Sequence, residues 1–334
     1  MDIDFVIPWV NGEDEEWLKE KRKYEPNIET DASYANRYKD WNILKYWFRS
    51  IEKFTPWVHK IHFITWGHLP YFLNIKHPKL NIVNHKDYIP NAYLPTFNAN
   101  TIEMNFHRIS ELSEQFVYFN DDMFVLKPLS KTDFFNQDNG LPLAQYTEIP
   151  IIITSNEVWS YLVYNDMYII NKYFKKRESL NHSFFKYINM KYHIYDNIRS
   201  ILLYILFPNS FLCFKNFHQA TPFLKSTYEL IWEKEEYLLN NTCLHKFRNK
   251  EDVNQWLPLW WQLASGKFSP SSKKTIYNVI TENTIEIMKN AIVKQKYDLL
   301  CLGDPIDSNN AEMYMNQIRE AFEKILPQKS SFEI

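Results

Sequence analysis

An α/β fold on a mostly parallel sheet is what this sequence predicts, and three observations carry the prediction. Apolar, β-branched and aromatic runs alternate with helix-period segments from the start of the chain to Phe135. The chain opens on a strand, a tight turn and a helix in that order. The run Phe116-Val117-Tyr118-Phe119 then reads as a strand buried on both faces; it delivers Asn120-Asp121-Asp122 before apolar residues resume at Met123. Strands separated by helices become parallel neighbours through right-handed crossovers.

The elements follow in order. Residues 3–10 form the opening strand, ended by the turn pair Asn11-Gly12. Glu13 to Glu16 then put acids in the first turn of a helix, where they oppose its dipole favourably. The polar stretch 25–36 reads as a loop. Leu44, Trp47, Phe48 and Ile51 recur at helical spacing, with Asn42 as the expected cap. Residues 60–65 and 80–84 read as strands, and 69–75 as a short helical piece between them. Leu94 to Asn98 form a turn into a helix carrying Ile102, Phe106, Ile109 and Leu112 on one face. Beyond the acidic stretch the pattern loosens over 141–156, turns aromatic and partly helical over 157–175, and becomes a Trp-rich helix over 257–263 with Pro258 in its first turn. Tyr297 to Leu302 repeat the earlier logic: an apolar run, then Gly303 and Asp304, then a helix over 310–325. The expected organisation is an α/β part over 1–156, a basic and mainly helical insertion over 157–216, and a part over 217–334 that completes the same site.

Composition narrows the function. Hydrophobic content of 45% and charged content of 23% in 334 residues are those of a globular chain able to bury a large core. A net charge of −2 gives no case for nucleic acid as a partner. Three cysteines far apart, Cys213, Cys243 and Cys301, match neither a disulfide framework nor a zinc spacing, so a reducing, cytoplasmic setting is expected. No signal peptide and no membrane-spanning run is legible. Five glycines, at Gly12, Gly67, Gly140, Gly266 and Gly303, leave no Gly-rich phosphate loop, so any nucleotide is bound by another device.

Adjacent carboxylates at the end of a buried strand repel one another, and a divalent cation relieves that repulsion. Mg²⁺ takes oxygen ligands and usually holds substrate phosphates as well. In open α/β sheets ligands bind at this carboxyl edge. Asn-Asp-Asp is also ordinary chemistry for a solvated turn. Eight Lys/Arg lie between Lys172 and Lys215 against Glu178 and Asp196, a local +6 around the apolar run Ile201 to Phe207. That segment reads as an element touching a membrane surface, as a holder of an anionic acceptor, or as the solvated face of a buried helix. His218, before a Pro-containing turn, is either structural or catalytic; Arg248 sits in a polar loop.

Residues 3–12, Ile-Asp-Phe-Val-Ile-Pro-Trp-Val-Asn-Gly, resemble the first signature block of the Stealth family of sugar-1-phosphate transferases. A similar second block runs from Arg37 to Phe135, with Arg49-Ser50-Ile51-Glu52-Lys53, Leu94-Pro95-Thr96-Phe97-Asn98, Ile102-Glu103, His107-Arg108-Ile109 and Asn120-Asp121-Asp122. The third resembles the stretch from His218 through Pro222 to Arg248, with Glu251-Asp252 behind it, and the fourth the residues around Cys301 to Asp304 and Phe332-Glu333. Trp41, Trp66 and Gly303 depart from the family's usual residues, Trp41 and Gly303 standing where Asn is common. The resemblance implies a Rossmann-like fold akin to nucleotide-sugar glycosyltransferases and a Mg²⁺ or Mn²⁺ requirement. It implies transfer of hexose-1-phosphate or N-acetylhexosamine-1-phosphate from a UDP-sugar to a hydroxyl of a glycan, with UMP released. Capsular or other cell-surface polysaccharide is the product class, and a lipid-linked acceptor would bring the enzyme to the inner membrane face.

On that reading His218 is the general base, Arg248 the phosphoryl-binding cation and Asn120 a phosphate or sugar contact. Asp122 and Asp304 share the cation, with Asp121 behind them. Trp9, Asn11, Gly12, Arg37, Asp40, Arg49, Thr96, Asn98 and Glu103 are the expected substrate-binding residues. Two competing readings remain: a metal-dependent glycosyltransferase releasing UDP, and a non-enzymatic polysaccharide-binding protein whose aromatics stack on sugars.

Overall fold

The structure is a computed structural model describing residues 1–25, 38–151, 158–306 and 309–334. The first half carries β1 (Ile3–Pro8), α1 (Glu15–Arg22), α2 (Leu44–Phe54), β2 (Ile61–Thr65), β3 (Leu80–Asn84), α3 (His85–Tyr88), α4 (Ala99–Met104), β4 (Gln115–Tyr118), β5 (Met123–Val125) and β6 (Leu143–Ala144). The middle is helical: α5 (Val158–Tyr173), α6 (Lys176–Tyr187) and α7 (Ile194–Leu206). The rest carries β7 (Thr221–Leu224), α8 (Lys225–Lys234), α9 (Glu236–Leu244), α10 (Trp256–Ala264), β8 (Ser269–Pro270), β9 (Thr275–Val279), α11 (Ile285–Lys294), β10 (Leu299–Gly303) and α12 (Ala311–Ile325).

The fold is mixed α/β with parallel-rich sheets. The main sheet has the order β3-β2-β1-β4-β7; β1 to β4 run parallel and β7 enters antiparallel to β4. A smaller sheet, β5-β10-β9, pairs β10 parallel to β9 and antiparallel to β5, and β6 pairs β8. The strand period of two divides β1 between two cores: Ile3, Phe5 and Ile7 face one, packed with α2, α11 and α12, while Val6 faces the other, with α5 and α10. Asp4 interrupts this pattern inside the sheet. Burial pushes its carboxyl up, but hydrogen bonds from His62, the Ser113 N–H and His59 outweigh burial and hold its pKa at about 2.

Several local expectations are corrected. Asn42 does not cap α2: its φ is +56°, its N–H donates to Asp40 Oδ1 at 2.8 Å, and Ile43 takes the cap position. Residues 69–75 are not helical; Leu73 bridges to Glu333, and the Asn74 N–H donates to the Phe332 carbonyl at 2.8 Å. The helix after Asn98 ends at Met104, and Phe106–Arg108 is a separate 3₁₀ turn. The acidic stretch is no simple strand end either, since β5 leaves the main sheet at once and joins β10.

Candidate active site

Strand direction brings the site together. Because β1 and β4 are parallel, Trp9 and Asn120 leave the same edge of the sheet. β7 runs the other way, with Thr221 opposite Tyr118, so the residues just before β7 (His218 and Gln219) arrive at that edge too. β5 then pairs Met123 with Cys301, and the Leu302 N–H donates to the Asp122 carbonyl at 3.0 Å, which carries Gly303 and Asp304 to the acidic turn. The result is one cleft of about 870 Å³, within the usual range for a ligand site. Its walls include His218, Arg248, Asn120, Asp121, Asp122 and Asp304, together with Trp9, Asp40, Thr96 and Glu103.

The carboxylates sense one another. Burial first, then Asp122, Asp40 and Asp304, push Asp121 well above the usual carboxylate range. Burial pushes Asp122 up to about 7, opposed by the Cys301 thiol at 3.5 Å from Oδ2 and reinforced by Asp304. Asp40 is also raised by burial. Asp122 Oδ1 is buried without a hydrogen-bond partner. A buried acceptor left unpaired among mutually repelling carboxylates suits a divalent cation. No three His, Cys, Asp or Glu among the described residues enclose such an ion on their own. The set therefore fits an ion whose remaining ligands come from substrate phosphate or water. Trp41, which takes a position where Asn is common, donates its indole N–H to Asp304 Oδ1 at 2.9 Å, so a donor is retained there.

Also on the cleft wall, the His218 backbone is left-handed at φ +42°, fixed by its N–H donating to Asn216 Oδ1 at 2.9 Å. The imidazole stacks on Tyr277 at 4.4 Å and meets the edge of Trp256. Burial lowers its pKa below the ordinary imidazole value, favouring the neutral ring a general base requires. Arg248 projects from a loop held by Asp252, a buried carboxylate that accepts from His245 Nδ1, Asn98, Asn100 and the Asn249 N–H at 2.6–3.0 Å. Tyr118 joins Glu103 to Asn120: its hydroxyl lies 2.6 Å from Glu103 Oε1 and against the Asn120 side-chain oxygen. Burial lifts Glu103 to about 7, outweighing the Tyr118 hydrogen bond and the charge of Arg248. The Tyr118 hydroxyl has one proton for two acceptors, Glu103 Oε1 and Asn120 Oδ1, and Glu103 Oε2 is buried without a partner.

Other expected contacts lie elsewhere. Arg49 is buried away from the cleft, gripping both Glu333 oxygens at 2.8 and 2.9 Å and the Leu326 carbonyl at 2.9 Å. Asn98 stands behind the wall, caps α4 and holds Asp252. Asn11 and Gly12 shape the turn after β1: the Asn11 N–H donates to His68, and a Cβ on Gly12 would stand 2.2 Å from the Tyr38 carbonyl oxygen. Arg37 lies outside the described residues. The sequence reading missed Tyr277, Trp256, Tyr118 and Asn100 as parts of the cleft, and Cys301 as the thiol behind Asp122. Only the Trp-rich character of α10 gave any signal, because the other four depend on pairings between distant segments.

Conserved region 1 of the Stealth proteins matches residues 1–29, and conserved region 2 matches residues 37–142. A capsular polysaccharide phosphotransferase, WcwK, of Streptococcus pneumoniae is 41% identical over 99% of this chain and 98% of its own. A receptor polysaccharide phosphotransferase, WefC, of Streptococcus oralis is 39% identical over 99% of both chains. An exopolysaccharide phosphotransferase, cps2G, of Lactiplantibacillus plantarum is 35% identical over 99% of this chain and 96% of its own. Two matched regions and relatives aligned nearly end to end place the chain in the Stealth family, as an enzyme of the phosphotransferase kind.

Proposed function

We propose that this enzyme transfers a hexose-1-phosphate or N-acetylhexosamine-1-phosphate from a UDP-sugar to a hydroxyl of a glycan acceptor, making a phosphodiester and releasing UMP. The polysaccharide phosphotransferases it resembles support the product class, capsular or other cell-surface polysaccharide. The observation that carries the reading is the meeting of His218, Arg248, Asn120 and the carboxylates on one cleft, although they are drawn from segments as far apart as Asn120 and Asp304. A parallel sheet with its ligand cleft at the carboxyl edge also supports a Rossmann-like nucleotide-sugar fold.

In this mechanism the neutral His218 ring takes the proton from the acceptor hydroxyl as that oxygen attacks the β-phosphorus, the one bearing the sugar. The bond from that phosphorus to the oxygen bridging it to the uridine phosphate breaks, and UMP leaves. Arg248 presents a planar fork to the phosphoryl oxygens as charge shifts toward the leaving group. Asn120, held by Tyr118 and Glu103, orients a phosphate or sugar oxygen. Trp9, Thr96 and Asp40 line the part of the cleft assigned to the donor. Asp122 and Asp304, with Asp121 behind, would hold Mg²⁺ or Mn²⁺, which supplies charge neutralisation at the diphosphate when bound.

The test is incubation with a panel of UDP-sugars, a short glycan primer and Mg²⁺, followed by ³¹P NMR. A phosphodiester resonance with free UMP is expected. Release of UDP with a simple glycoside would overturn the reading in favour of sugar transfer alone.

A further inference from the structure

The helical insertion turns its apolar side outward. On α7 the residues Ile194, Ile198, Ile201, Leu202 and Ile205 are 40–68% exposed, and their spacing puts them on one face. The opposite face, mixed polar and apolar with Leu203 buried and Tyr204 against the core, is the one bound to the protein. Arg199 donates to the Glu148 carbonyl at 2.8 Å, Asn197 donates to the Asn189 carbonyl at 2.8 Å, and Ser200 is buried. A surface helix normally has the reverse orientation. The sequence reading of a solvated face on a buried helix is therefore corrected: what solvent meets is the apolar stripe.

Its surroundings say what would cover it. α6 and α7 form an antiparallel hairpin, closed at one end by the Arg177 N–H on the Pro208 carbonyl at 2.8 Å and at the other by Asn189 with Asn197. Exposed Lys175 and Arg177 thus stand at one end of the stripe, with exposed Glu178 3.9 Å from Lys175, and exposed Lys191, which also donates to the Pro270 carbonyl at 3.0 Å, and His193 at the other. Phe185 and Met190 of the same hairpin are 81% and 101% exposed. The hairpin is fixed to the body by a fully buried ion pair, Lys176 to Glu148 at 2.8 Å, with Tyr146 and the Leu212 N–H completing the carboxylate. No helix among the described residues is long and apolar enough to cross a bilayer. An apolar stripe flanked by cations and rigidly mounted matches a helix lying in the plane of an anionic lipid surface. A second copy is a poorer fit, because a twofold contact would set the basic flanks against each other.

We propose that the α6–α7 hairpin is a monolayer-docking element, with Ile198, Ile201, Leu202 and Ile205 inserted among acyl chains and Lys175, Arg177 and Lys191 on anionic headgroups. α5, which precedes the hairpin, lines the cleft through Leu162 and Val163, so docking would hold one cleft wall near the lipid surface. The inference does not depend on the reaction assigned to the cleft.

The test is flotation of the purified full chain with vesicles of phosphatidylcholine alone, or with about 30% phosphatidylglycerol, at low and high salt. Binding to the anionic vesicles that weakens in salt is expected. The double variant Ile198→Ser, Ile205→Ser should partition at least about tenfold more weakly with unchanged thermal melting, since both side chains are already exposed. The variant Lys175→Glu, Arg177→Glu should lose the preference for anionic lipid. Failure to float, or flotation of the serine variant at the wild-type level, would overturn the proposal. So would light scattering that shows a dimer converted to monomer by the serine substitutions while vesicle binding persists.

Discussion

The Leu302 N–H donates to the Asp122 carbonyl at 3.0 Å, and this bond between strands 180 positions apart in sequence sets Asp304 beside the acidic turn. Its energetic consequence falls on Asp122. A carboxyl raised to about 7 when folded contributes stability at low pH that is lost as pH rises toward and through 7, because the folded state then holds more protons than the unfolded one. A cation competing with that proton should therefore stabilise more at pH 8 than at pH 6. Thermal melts with and without Mg²⁺ or Mn²⁺ should show this, with a gain of about 2.7 kcal/mol at roughly 100 times Kd. Asp122→Asn should abolish the gain while raising the melting temperature of the cation-free protein. An equal cation effect at both pH values would sink the assignment.

His218 and Tyr277 form the next relationship, a stacked pair at 4.4 Å. Removing the base, in His218→Ala, should lower turnover about 10²–10⁴-fold while UDP-sugar binding stays near the wild-type level. Tyr277→Leu leaves the imidazole but loosens it, so a smaller loss with a shifted acidic limb in the kcat/KM profile is expected. For the wild-type enzyme that limb should lie below 6.5, since burial lowers the imidazole. Calorimetric titration of donor into the alanine variant is the deciding measurement; lost binding would make His218 a donor contact instead of a base.

How much of this was legible in the sequence depends on whether the deciding partner is local. Strands β1 to β4 and β10 and the two acidic stretches were, because an apolar run stopped by carboxylates carries its own signature; β7, read as a Pro-containing turn, and β9 were not. Arg49 was not: its helical spacing gives no hint of Glu333, which lies 284 positions on and gathers the C-terminus onto α2. The expected helix over 69–75 failed for the same reason, as backbone bonds to Phe332 and Ile334 replaced helical ones. The apolar run Ile201 to Phe207 was visible as well, but not the longer helical stripe it belongs to, whose outward direction is set by Glu148 and Asn189.

The Arg49–Glu333 grip is a structural prediction with no kinetic counterpart. Both side chains are under 10% exposed, and the carboxylate is held below its usual range because the Arg49 and Ser330 hydrogen bonds outweigh burial. Glu333→Ala leaves a buried guanidinium with fewer partners, a change that typically costs about 3 kcal/mol. Urea denaturation should show the midpoint falling. The folded fraction should keep its kcat, since neither residue borders the cleft; a selective loss of kcat at full stability would return Arg49 to the substrate.

Lys273 supplies the last test, and its sign is opposite to that of Asp122. The ammonium is buried with no hydrogen-bond partner and rests 3.5 Å over the Phe134 ring; burial, opposed by Asp133 and Asp298, pushes its pKa down to about 7. Between that value and the ordinary 10.5 the unfolded chain binds the proton and the folded chain does not. Its contribution to stability therefore grows as pH rises from 7 toward 10 and is lost as pH falls through 7. Lys273→Met keeps the packing over Phe134 and removes the charge, so it should raise stability at pH 6 by about 1–3 kcal/mol and flatten the profile above pH 7. Denaturation midpoints at pH 6 and pH 9 for both proteins decide it. If methionine destabilises equally at both, the lysine is held by an attraction that outweighs its desolvation, and the ring contact with Phe134 is the place to find it.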